Sequence, residues 1–137
     1  MGLVIIQYWI NKYPNAGLIL GGDFNMVLNR DLDRFPSRAD SVCPIMNAFM
    51  MRFSVVDIWR ETNPQQRLYT WSSKDLSKQS RTHYWLISQS LANSCNSTST
   101  HATPLTDHSA VSLKVSLSAS LDFRSTPSYW KRNNSPV

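Results

Sequence analysis

The sequence predicts a layered α/β fold, and three observations predict it. Leu3, Ile6, Ile10 and Tyr13 recur at the spacing of one helix face. Leu18-Ile19-Leu20 is a short, unbroken apolar run between glycines. Val111, Leu113, Val115 and Leu117 alternate with small or polar residues, the period of a half-solvated strand. A helix, a turn, a buried strand and a glycine-flanked polar cluster follow one another as in layered α/β proteins, whose sites lie beyond strand ends. At 137 residues the chain is the size of one domain.

The elements follow in order. Pro14, Asn15 and Gly17 stop the first helix, because proline breaks the hydrogen-bond ladder and glycine suits a left-handed stop. Leu18-Ile19-Leu20 then reads as a strand buried on both faces. It opens into Gly21-Gly22-Asp23-Phe24-Asn25, which sets a carboxylate and an amide one residue apart; taken alone, such a cluster is more often only a turn. Residues 29–41 are polar, hold a proline and read as a loop. From Pro44 to Phe53 the positions of Ile45, Met46, Phe49, Met50 and Phe53 predict a second helix. Val55, Val56, Ile58 and Trp59 follow, and Asn63-Pro64 marks a turn. Leu68-Tyr69-Thr70-Trp71 and Tyr84-Trp85-Leu86-Ile87 are β-prone, and SSKDLSKQSR between them is a connection of hairpin type. Residues 92–103 are rich in Ser, Thr and Asn and read as a loop with little to bury. Residues 1–118 are taken as the folded part, and 119–137 as a polar tail or linker.

The net charge of +5 is compatible with a polyanionic partner without requiring one. Arg60, Arg67, Lys74, Lys78 and Arg81 crowd one segment against Glu61 and Asp75, and a solvated face explains most such runs. Cys43 and Cys95 have no metal-ligand spacing and read as reduced thiols. The start has no basic leader and no apolar run spans a membrane, so an intracellular protein is expected, nuclear or cytoplasmic and not secreted.

Thr106-Asp107-His108-Ser109 stands just before the alternating strand, so it too lies at a strand edge. A lone Asp-His pair is more often a surface hydrogen bond. The two clusters together, with an aromatic-threonine stretch between them, make a candidate site. Asp23-Phe24-Asn25, Tyr69-Thr70-Trp71, Ser80-Arg81 leading into Tyr84-Trp85-Leu86-Ile87-Ser88, and Thr106-Asp107-His108 occur in an order that resembles the endonuclease/exonuclease/phosphatase superfamily. More narrowly they resemble the apurinic-type endonuclease domain of non-LTR (LINE-type) retrotransposons, in which Asp57-Ile58-Trp59-Arg60 followed by Asn63-Pro64 is typical. The tail from Tyr129 to Ser135 looks like the segment leading towards a reverse transcriptase.

The resemblance implies a β-sandwich flanked by helices, here incomplete and roughly its second half. It implies Mg²⁺- or Mn²⁺-dependent hydrolysis of a DNA phosphodiester. Asp23 would handle the proton of the attacking water, and Asn25 would hold that water or a phosphate oxygen. Asp107 would help bind the metal. His108 would donate to the phosphoryl oxygens as charge builds. Thr70 and Thr106 would support the phosphate pocket, Thr106 standing where the family has serine. Asp33 and Arg34 look like a family loop feature, for which a salt bridge or solvated turn is the simpler role.

Two departures stand out. The family has an aspartate before Tyr84-Trp85-Leu86-Ile87 that orients the catalytic histidine; here the residue is His83, after Thr82 in place of an apolar residue. A charged imidazole repels His108 and a neutral one offers no anion. The family's early asparagine, metal-binding glutamate and phosphate-side tyrosine also have no counterpart here. Metal binding is therefore expected to be weak and the chain inactive as it stands, with a missing N-terminal half and a downstream reverse-transcriptase region as expected partners beside DNA. Two alternatives stay open: a non-catalytic nucleic-acid-binding remnant, and a degraded reading frame with no role.

Overall fold

The computed structural model describes residues 2–38 and 44–117. The tail assigned to residues 119–137 and Cys43 lie outside them. The first helix, α1, spans Gly2–Lys12. Strand β1 (Ile19–Asp23) pairs antiparallel with β6 (His83–Ser88), and β6 pairs on its other side with β3 (Val55–Asp57). In this sheet, order β1-β6-β3, the central strand is the most apolar: Leu86 and Ile87 are fully buried. Each such side chain contributes about 1.5–3 kcal/mol on leaving water.

Helix α2 (Pro44–Phe53) covers one face of that sheet. Its Phe49 forms the core with Val55, Tyr84 and Leu86, and Ile6, Leu18, Leu20, Phe24 and Met46 pack round them. Phe24 stacks on Tyr84 at 4.6 Å between ring centres, which anchors the turn after β1 to the centre of the sheet. The alternate residues of β6, His83 and Trp85, look the other way. They share a crevice with Thr98, Thr100 and Val111 of a separate two-stranded sheet, β7 (Cys95–His101) with β8 (Ala110–Val115). A third small sheet, β2 (Arg34–Phe35), β5 (Gln79–Ser80) and β4 (Trp71–Ser72), continues into β6. The expected mixed α/β architecture is therefore present, with antiparallel pairing throughout the described residues. No helix among them is long and apolar enough to cross a membrane.

Five local details differ from the sequence reading or add to it. β1 is not buried on both faces: it is an edge strand among the described residues, and Ile19 and the residues after Leu20 are exposed. Its glycines carry no side chains to cover it. Residues 95–101, read as loop, form β7. Thr98 and Thr100 oppose Leu113 and Val111, so the apolar face of β8 supplies what β7 lacks, and β-branched threonine fits the pleat. Leu68, Tyr69 and Thr70 are not in a strand; β4 begins only at Trp71. Ile45 lies on the outer face of α2, 69% exposed, while Phe49 faces the core. Within the 29–41 loop, residues 34–35 add a short strand. The Asn63-Pro64 turn, the 44–53 helix and the hairpin between β4 and β5 stand where the sequence places them.

Candidate active site

The two glycines before Asp23 have separate reasons. A Cβ on Gly21 would meet the Trp85 ring at 2.3 Å, so only glycine lets β6 press its indole onto β1. Gly22 has φ +150°, a backbone conformation that L side chains rarely adopt. With β1 held in this register, Asp23 stands directly opposite His83. The backbone N–H of Phe24 donates to the Thr82 carbonyl at 2.9 Å, and the chain then turns. The N–H of Asn25, whose φ is +53°, donates to Asp23 Oδ1 at 3.0 Å. This short Asx-type turn ties up one carboxylate oxygen and leaves Oδ2 for the neighbouring rings.

The second cluster is pinned from the other side. Ser72 N–H donates to the Asp107 carbonyl at 3.2 Å, and Ser109 N–H to that of Thr70 at 2.7 Å. Trp71 and His108 form a β-bridge. Residues 107–109 thus lie along the 70–72 segment, and β5 carries that segment to the start of β6. Two loops 85 residues apart in the chain therefore meet at one place, with His108 Nδ1 lying 3.8 Å from Asp23 Oδ2. His83 completes the group. Its Nε2 lies 3.2 Å from His108 Nδ1 and 3.8 Å from Asp23 Oδ2. The rings meet nearly edge to face, at 5.0 Å and 66°.

The surrounding hydroxyls orient His83. Its Nδ1 lies 3.1 Å from Thr70 Oγ1 and 3.2 Å from Thr82 Oγ1. Thr70, buried, also accepts the backbone N–H groups of Thr82 and His83, each at 3.1 Å. Thr70 stands behind His83 rather than at an open pocket wall. Burial lowers the His83 pKa; the Asp23 charge opposes this and His108 adds to it. Burial pushes Asp23 upward, but the Asn25 N–H, the Thr82 hydroxyl and both imidazoles outweigh it and leave its pKa below the ordinary value. A carboxylate thus faces His108 after all: Asp23 itself, since position 83 holds an imidazole.

Asp107 is exposed on the far side of His108, with Oδ1 3.9 Å from Nε2. The Trp71 indole N–H donates to its Oδ2 at 2.9 Å and lowers its pKa, a partner that the sequence did not reveal. Thr106 Oγ1 accepts the His108 N–H at 3.2 Å and holds the loop closed. The Asn25 side chain is exposed beside this group. Mg²⁺ asks for several converging oxygens. Among the described residues the only ligand group found at metal-binding distances is Asp23 with two imidazoles, and Asp107 is not part of it. By itself Asp107 offers Mg²⁺ one carboxylate, so the ion would keep most of its waters there.

Asp33 falls outside this site. It is fully buried and accepts from Arg81 Nε at 2.8 Å and Nη2 at 3.1 Å, and from Arg60 Nη2. Arg81 also pairs with Asp57, the N-cap of a short helix, α3 (Ile58–Thr62). The loop aspartate is thus a buried salt bridge whose partners are Arg60 and Arg81, not its neighbour Arg34.

No known family's sequence profile matches the chain. It is 35% identical over 123 residues to the Transposon TX1 uncharacterized 149 kDa protein of Xenopus laevis, an alignment covering 88% of this chain and 9% of that protein. Its fold is similar to that of AP endonuclease LMAP from Leishmania major, with TM-score 0.62 and 22% identity over 82% of this chain and 45% of that one. It is also similar to NExo, a 3'-5' exonuclease of Neisseria meningitidis, with TM-score 0.64 and 16% identity over 82% of this chain and 51% of that one. The chain therefore spans about half of these solved structures and under a tenth of the transposon protein.

Proposed function

We propose, from the premise that this chain is a retrotransposon endonuclease-like domain of the endonuclease/exonuclease/phosphatase superfamily, that it carries one side of a DNA-nicking centre and does not turn over by itself. The convergence of Asp23 and His108 from distant loops supports this reading most directly. A phosphodiester lying over them would meet the Asp23 carboxylate, within reach of a water proton, and an imidazole able to donate to a phosphoryl oxygen. Asn25 borders the same opening, Thr106 holds the His108 loop, and Thr70 holds His83.

The proposed inactivity has two motives. His83 cannot supply the anion that orients a catalytic imidazole, a loss that can cost about four powers of ten in serine hydrolases. Among the described residues, Asp107 belongs to no group of three converging metal ligands. The remaining half of the solved nucleases is where further site residues are expected.

Supercoiled plasmid with Mg²⁺ or Mn²⁺ tests the reading. No nicking above background is expected from the natural sequence, and a measurable rise is expected for His83→Asp. Nicking by the unaltered chain that disappears in Asp107→Ala would overturn the proposed inactivity.

A second reading, nucleic-acid binding without cleavage, rests on a cleft of about 200 Å³ lined by Arg34, Arg38, Lys78 and Trp71. Phosphate contacts there would make binding fall steeply with salt. DNA retention that is absent at low ionic strength, or indifferent to salt, would remove it.

A further inference from the structure

We propose that Asp23, His83 and His108 form a binding site for a transition-metal ion of the Zn²⁺ class. This goes beyond the nuclease reading and does not depend on it. Asp23 Oδ2, His83 Nε2 and His108 Nδ1 come from three segments: the end of β1, the start of β6 and the loop before β8. They are separated by 3.8, 3.8 and 3.2 Å. The nearest point equidistant from atoms so spaced lies in their plane, about 2.1 Å from each, which is the bond length of zinc to imidazole nitrogen or carboxylate oxygen. At 3.8 Å the carboxylate is too far from either ring for a hydrogen bond. The same gap suits three ligands facing a central ion.

Ligand chemistry selects the metal. Two imidazoles and one carboxylate suit Zn²⁺, Co²⁺ or Ni²⁺, whereas Mg²⁺ prefers oxygen throughout. The atoms behind the ligands fit as well. His83 Nδ1 has two hydroxyl neighbours, Thr70 Oγ1 at 3.1 Å and Thr82 Oγ1 at 3.2 Å. The Thr82 hydroxyl hydrogen-bonds Asp23 and can accept from Nδ1 once the Thr70 hydroxyl hydrogen turns away. Ion binding selects this tautomer, with the Nε2 lone pair free. The Asn25 N–H fixes the other oxygen of Asp23. The side chains of His108 and Asp23 remain 40% and 29% exposed, so an ion can enter and a water or phosphate oxygen can take the next coordination position. The substitution that removes the family's orienting carboxylate thereby supplies a nitrogen ligand.

The test uses the full chain, titrated with Zn²⁺ against a chromophoric chelator and with Co²⁺ followed by its visible d–d band. One equivalent is expected to bind, with a four-coordinate cobalt spectrum and no displacement by Mg²⁺ in roughly hundredfold excess. His108→Ala, at a half-exposed position where folding is not at risk, should weaken Zn²⁺ at least about tenfold, and Thr82→Val should weaken it by about tenfold through the lost second partner. His83→Asp should exchange the Zn²⁺ preference for a weaker site of two carboxylates and one imidazole. His101→Ala and Cys95→Ser should change nothing. Absence of binding, binding that survives His108→Ala, loss on His101→Ala or Cys95→Ser, or displacement by Mg²⁺ would each overturn the site. None of these outcomes bears on plasmid nicking, so the two proposals fail separately.

Discussion

Two clusters of ionisable side chains flank Thr82, and they are built on opposite principles. On one side Arg81 is 1% exposed and saturated by Asp33 and Asp57, with Arg60 closing the group. Burial works against the Arg81 charge, but both carboxylates outweigh it and raise its pKa above the ordinary value. On the other side His83, His108 and Asp23 form one ring–ring hydrogen bond and two gaps of 3.8 Å, and two of the three face solvent. The first cluster turns its charge-paired hydrogen bonds inward, with Arg60 Nε left buried and without a partner. It ties the 29–35 loop, α3 and the start of β6 together. The second keeps capacity in reserve for something that arrives. A buried, charge-paired cluster reads as architecture, and an open one whose charges stand apart at an opening reads as a site.

The largest expected effect would break the first cluster. Asp33→Ala removes the acceptor shared by Arg81 and Arg60 and leaves buried positive charge without its partner. A loss of about 3–5 kcal/mol in unfolding free energy is expected by urea denaturation. A loss near zero would mean that the cluster does not hold the fold, and the contrast between the two groups would collapse.

A smaller effect joins the clusters. Thr70→Val keeps the shape but removes the oxygen that accepts the N–H groups of Thr82 and His83. About 1–3 kcal/mol should be lost, the cost of buried donors left unpaired. Unlike Asp33→Ala, it should also disturb Zn²⁺ affinity, because His83 loses its rear contact.

The smallest effect is in pH. Burial holds the His83 pKa below its ordinary 6.5. The unfolded chain therefore takes up this proton first as pH falls. His83 contributes stability that is complete above about pH 6.5 and is lost as pH drops through the lower folded value. With chelator present, the urea midpoint should fall gently below about pH 6.5, and His83→Gln should flatten that part of the profile. An unchanged slope in His83→Gln would show that this imidazole is not held neutral by its surroundings.

Much of this was legible in the chain. The period of Phe49, Met50 and Phe53 marks α2, and the polar run between Trp71 and Tyr84 marks a hairpin, because both are local patterns. The motif order around Asp23, Thr70 and His108 was enough to indicate the family. β7 was not legible: its residues are nearly all polar, and its stability comes from Leu113 and Val111 across the ladder. The partners of Arg81 were hidden for a similar reason. Asp33 lies 48 residues away and Asp57 lies 24 away, so no spacing rule connects them.

The sequence by itself determined α1, α2, the apolar run of β6 and the hairpin after Trp71, together with the side chains that can move protons or hold ions, since periodicity and functional groups are properties of residues. Through the family resemblance it also implied an orienting carboxylate at the position where His83 stands. Only the tertiary structure decided what that imidazole could do instead. The β1–β6 register sets Asp23 opposite His83, and backbone bonds from 70–72 bring His108 beside both. Ligation depends on distances of a few ångströms between atoms far apart in the chain, and pairing of the backbone sets those distances.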